Sequence, residues 1–156
     1  MNVEFKKITD NDKFCSSDVR TRFIGLVHFF EDALLELYPD IKKEALTKVD
    51  IILVDATHEQ DEASCQRNTI NENKFLIKIV FNGSRDIVEK LAHELCHVMQ
   101  YLSGQLMVVN AKNNIVSWGG EEYILDQLPH NDRPWEKEAI PYGMKLHSYY
   151  LSSRHK

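Results

Sequence analysis

The chain has 156 residues, 43% of them hydrophobic and 28% charged, with a formal net charge of −5. That length fits a single domain, residues 1–156, able to bury a core without staples, and the composition excludes a disordered or membrane-embedded chain. The acidic balance argues against general nucleic-acid binding.

Three cysteines, Cys15, Cys65 and Cys96, form no C-x-x-C pair. They predict no disulfide framework and fit a reducing cytoplasm. Met1–Lys7 lacks the apolar core of a secretory leader, and no apolar run reaches the length of a membrane span. Lys42, Lys43 and Lys48 read as a solvated surface.

Taken in order, Val3–Ile8 reads as a strand. Ser16, Ser17 and Asp18 form a capping cluster before Val19, Phe23, Leu26, Val27, Phe30, Leu34 and Leu37, which recur at helical spacing. Tyr38-Pro39 ends that helix. His28 on it reads as a surface or packing residue. Val49–Asp55 is short, apolar and rich in β-branched residues, the pattern of a buried strand. Residues 57–73 are polar and read as a mobile loop, in which His58, Glu59 and Asp61 lack a fixed scaffold for a cation. Lys74–Phe81 alternates, with Phe75, Ile77, Ile79 and Phe81 on one face, and predicts a strand. Asn82-Gly83 turns it into the next element.

That element holds the most informative stretch, Leu91-Ala92-His93-Glu94-Leu95-Cys96-His97. With His93 as the zero of rotation, His97 falls near 40° and Gln100 near −20° at about 100° per residue. Ile87, Val88, Leu91, Leu95, Val98 and Met99 fill the opposite arc, so residues 85–102 predict an amphipathic helix. Ser84 or Asp86 supplies a start and Gly104 a stop. Two histidines one turn apart project from one face and can share a metal ion. Glu94, set to the side, can reach a metal-bound water without ligating the metal. Cys96 reads as a small buried side chain.

Downstream, Gln105–Val109 and Ile115–Trp118 read as a hairpin broken at Gly119-Gly120, and 121–133 as a looser segment. Asp132 and Pro134 then suit the start of a second helix. Pro141 is expected to kink or split it near Ile140, with a further helical piece over 142–152.

Two histidines require a third protein ligand, and a catalytic zinc also keeps a position for water. The metzincin pattern fails, because Gln100 and Ser103 stand where it needs Gly and His. A glutamate on a later helix is the other common solution. Glu136 is well placed for it, with the small Ala139 one turn on to let two helices approach. Its rivals are Glu138, about 200° round the same helix, and Glu121 and Glu122.

The ordered combination of H-E-L-x-H-x-x-Q, Trp118-Gly119-Gly120 and Pro134-Trp135-Glu136-x-Glu138-Ala139 resembles the small gluzincin-type zinc metallopeptidases, the minigluzincins. It is similar to metallopeptidases encoded by tailed bacteriophages and bacteria. The likeness covers roughly residues 74–140. It implies an α+β minimal zincin fold: an N-terminal helix, a small mixed sheet, the H-E-x-x-H helix and a C-terminal ligand-bearing helix. It implies zinc on His93, His97 and Glu136, Glu94 as general base, and a peptide or protein substrate. Tyr123, His130, Tyr142 and His147 are the available oxyanion donors. If Lys74–Phe81 is a sheet edge, an extended substrate can add to it. The alternative is a zinc-containing interaction protein without turnover.

Overall fold

The structure, a computed structural model, describes residues 1–6, 17–55, 63–79 and 87–154. Ile8, Cys15, Ser16, the His58–Glu59–Asp61 group, Phe81, the Asn82-Gly83 turn and the start residues Ser84 and Asp86 lie outside them. In chain order, β1 (Asn2–Lys6) precedes α1 (Ser17–Leu37), a short α2 (Lys43–Leu46), β2 (Asp50–Asp55), β3 (Ala63–Arg67) and β4 (Lys74–Ile79). α3 (Ile87–Leu102), β5 (Leu106–Asn110), β6 (Ile115–Trp118) and β7 (Glu121–Ile124) follow. Two 3-10 turns, Leu125–Gln127 and His130–Asp132, lead into α4 (Pro134–Ser153). The fold is α+β.

The first sheet has the order β1-β2-β4-β3, with β3 alone antiparallel. Ile51, Ile52, Leu53 and Val54 of β2 are all buried, as a central strand covered on both faces requires. On β4 the alternation holds: Phe75, Ile77 and Ile79 are buried, and the residues between them are half-buried. β4 is not a sheet edge. It lies between β2 and β3, so the edge on that side is Ala63–Arg67, a stretch that reads from sequence as loop. Its composition is polar because an edge strand covers little core, and its antiparallel pairing with β4 holds it extended.

α3 packs on α1, on α4 and on the β3–β4 side of this sheet. Leu91, Leu95, Val98 and Met99 are fully buried in the shared core. Each contributes about 1.5–3 kcal/mol through burial, which makes α3 a rigid platform. Its polar side is also covered: His97 and Gln100 are buried, because α4 lies over them. The helix stops where the sequence indicates. Gly104 takes a left-handed φ of 77°, and the amides of Ser103 and Gly104 turn back to the carbonyls of Met99 and Tyr101.

The second sheet, β5-β6-β7, is a meander. Gly119-Gly120 does not break the hairpin but joins β6 to β7. Its φ angles of 57° and 90° suit a two-residue turn closed by the Trp118–Glu121 pair. Glu121 and Glu122 are therefore strand residues. Leu106, Val116 and Trp135 form a small separate core beneath this sheet.

α4 runs unbroken through Pro141, contrary to the expected split. Proline removes the amide that would bond the Lys137 carbonyl. Both residues lie on the exposed side of α4, so water can satisfy that carbonyl. Asp132 is not the cap: the 3-10 turn takes it up, and Arg133 holds the N-cap position without a side-chain bond that caps the helix. No helix among the described residues is long and apolar enough to cross a membrane.

Candidate metal centre

The site lies where α3 faces α4. Successive turns of α3 bring His93 and His97 together, their Nε2 atoms 3.1 Å apart. Glu136 reaches them from the first turn of α4. Its Oε2 is 2.9 Å from His93 Nε2, and its Oε1 is 3.2 Å from His97 Nε2. The carboxylate is buried, near the positive end of the helix dipole. Burial pushes its pKa upward, but hydrogen bonds from His93 and His97, with their charge, outweigh that and hold it well below the usual carboxylate range. For His97, burial disfavours the charged ring, yet Glu136 and Glu94 raise its pKa on balance.

Glu94 completes the group. His93, Glu94 and His97 each offer one ligand atom, all within 4.8 Å of one another. Two carboxylates thus compete for the third ligand position. Glu136 contacts both Nε2 atoms directly, whereas Glu94 is buried with an Oε2 that has no hydrogen-bond partner among the described residues. Burial raises the Glu94 pKa, partly offset by His97 and His93 and reinforced by Glu136. A buried acceptor without a partner is costly, and a polar ligand or water in the cavity would relieve it.

The donor set fits a divalent cation. Nitrogen and oxygen ligands at about 2.0–2.1 Å from a tetrahedral ion lie roughly 3.3 Å from one another. The 2.9–3.2 Å separations here approach that spacing.

A hydrogen-bonded chain orients His97. Its Nδ1 donates to Gln100 Oε1 at 2.8 Å. Gln100 Nε2 donates to the Trp135 carbonyl at 2.9 Å and to Glu138 Oε2 at 2.8 Å, which fixes which way the amide faces. Tyr38 donates to the same Glu138 oxygen at 3.1 Å. With Nδ1 engaged by Gln100, Nε2 is the ring nitrogen directed at the site. The sequence places Gln100 on this face. It does not reveal Glu138 and Tyr38, because the second is 100 residues away in sequence.

Gly143 is the residue that sequence reading misses. The buried Ala139 does help the helices approach. One turn on, however, a Cβ at Gly143 would lie 3.1 Å from His93 Cα and 3.2 Å from His93 N and Cβ. Those contacts are tighter than an ordinary Cβ makes, so the His93 backbone would have to give by a few tenths of an ångström. Gly143→Ala is therefore expected to destabilise the protein, since overpacking costs about 1–3 kcal/mol. Gly25→Ala in α1 is the control: a Cβ there meets nothing within 4 Å, and alanine is the better helix former by about 1 kcal/mol. Urea unfolding of both variants checks the expected opposite signs.

The four candidate oxyanion donors separate clearly. Tyr142 stacks edge-on against Tyr38, and Tyr123 packs on Trp135 and donates to Glu121. His147 lies 3.7 Å from Glu89. Of the four, only His130 both lines the cavity and touches Glu136, with Nε2 3.2 Å from Glu136 Oε1. The cavity, about 610 Å³, is bounded on one side by Ala63–Cys65 of β3 and on another by Ile140 and Met144 of α4. Cys96 is fully buried, and burial pushes its thiol pKa far up, in keeping with a packing role. Glu121 and Glu122 do not line the cavity, nor does Glu138.

A scan against protein-family models, a search of curated proteins and a search of solved structures each return no match for this chain.

Proposed function

We propose that the chain is a zinc-dependent peptidase of gluzincin type, with His93, His97 and Glu136 as ligands and Glu94 as general base. The observation that carries the proposal is the division of labour between two buried carboxylates. Glu136 meets both Nε2 atoms, and Glu94 keeps a buried oxygen without a partner. Zinc in such a site supplies a Lewis acid that makes water nucleophilic near neutral pH. Glu94 takes the proton from the attacking water and passes it to the leaving amine, and burial, by raising its pKa, suits it to that return step. Gln100 and Glu138 hold His97 in the ligating tautomer.

The substrate is an extended peptide. β3 is the outermost strand of the sheet on the cavity side, and Ala63–Cys65 form the cavity wall. A peptide that pairs with β3 brings its backbone carbonyls past Glu94. The zincin name belongs to this proposal, as does the likeness to bacteriophage and bacterial metallopeptidases.

The test is incubation of the zinc-loaded chain with a diverse peptide mixture, products read by mass spectrometry. Cleavage that stops with a chelator and returns with zinc is expected. Tight zinc binding with no cleavage of any peptide would instead favour a zinc-containing interaction protein.

A further inference from the structure

Three imidazoles, not two, meet the Glu136 carboxylate. His130 Nε2 lies 3.2 Å from Glu136 Oε1, the same distance from the same oxygen as His97 Nε2. That separation is again close to the roughly 3.3 Å expected between two donors on one tetrahedral ion. His130 thus shares with His97 its separation from Glu136 Oε1, although it comes from a 3-10 turn preceding α4.

The turn is built to hold a side chain there. The Asp132 amide donates to the Pro129 carbonyl at 2.9 Å, and the Arg133 amide to the His130 carbonyl at 3.3 Å. Arg133 Nε donates to the Leu128 carbonyl at 3.3 Å. The backbone beside His130 is therefore pinned, while its imidazole is free to turn. The ring is 62% exposed, against 8% for His97. Glu136 is its polar side-chain partner among the described residues. His130 can leave the site without unpacking any core, whereas His97 cannot.

We propose that His130 is a displaceable fourth protein ligand of this metal centre, one that regulates access to it. The inference rests on the metal-centre reading of His93, His97 and Glu136. With His130 engaged, three imidazoles and one carboxylate would fill all four tetrahedral positions and leave none open. With His130 turned out to solvent, three protein ligands remain and one position opens. Access of substrate to that position would then require His130 to turn away from Glu136. A different role, in which His130 only donates a hydrogen bond to Glu136, would leave the fourth position open at rest.

The two roles separate by metal binding alone. The full chain, His130→Ala and His130→Gln are compared by zinc competition against a chromophoric chelator. Cobalt(II) loading and azide titration of the visible cobalt bands follow for each. The proposal predicts a loss of zinc affinity in both variants beyond the roughly 10–100-fold typical of a supporting group. It also predicts an altered cobalt spectrum, and azide binding to the variants at lower concentration than to the wild type. An unchanged spectrum in both variants overturns the proposal, whether or not zinc affinity falls modestly. If one variant misfolds, judged by its metal-free thermal unfolding, the other decides. A wild type that binds neither metal refutes the metal-centre reading itself, an outcome distinct from a metal-binding wild type indifferent to His130.

Discussion

Glu94→Gln is expected to leave zinc binding near the wild-type level and to lower peptide hydrolysis by about 10²–10⁴-fold, the usual contribution of a positioned general base. The substitution preserves shape and burial but removes the ability to accept a proton. Glu94 is 4% exposed, so bulk buffer has little access to replace it. Its fold role is small, because one of its oxygens already lacks a partner among the described residues, and a neutral amide relieves the cost of burying a charge. The measurement is kcat/KM on a fluorogenic peptide at saturating zinc, with metal content determined on the same sample. Full metal content with wild-type kcat/KM would remove Glu94 from the chemistry.

Glu136→Ala carries the second large effect. It deletes the carboxylate that contacts both Nε2 atoms, so zinc affinity is expected to fall further than the roughly 10–100-fold that accompanies loss of an orienting group. Glu138→Ala belongs to that milder class. It releases Gln100 and, through it, His97, while leaving every ligand in place. Glu121→Ala lies on β7 away from the cavity and should change nothing. Competition titrations of the three variants side by side rank them. Wild-type affinity in Glu136→Ala, with affinity lost in either of the others, would assign the ligand elsewhere.

How far the site could be read in advance depends on how local each feature is. His93, Glu94 and His97 are one helical turn, and 3.6-residue periodicity alone puts them together. Gln100 is one turn further on, so its bond to His97 is equally local. Glu136 is less local: only the spacing of the small Ala139 on a second helix points to it, and in the structure its carboxylate lies against both Nε2 atoms. Gly143 is not legible, because the tight fit there arises from the crossing of α4 over the His93 backbone, a contact between residues 50 apart in the chain.

The sheet divides in the same way. β4 announces itself by alternation, and β2 by a continuous apolar run. β3 has neither signal, since its pairing partner rather than its own side chains holds it extended. β7 was hidden because Gly119-Gly120 reads equally well as a break or as a tight turn. Pro141 misled for a physical reason as well. Its cost falls on a carbonyl at the exposed side of α4, where water can satisfy the lost bond.

The central claim is that His93, His97 and Glu136 form one metal centre. Its most direct test is elemental analysis of the wild-type chain after zinc loading and gel filtration. The account predicts about one zinc per chain, removed by a strong chelator and restored on titration, as a three-ligand site requires. A chain that stays metal-free after loading, and takes up no zinc in solution, would contradict it.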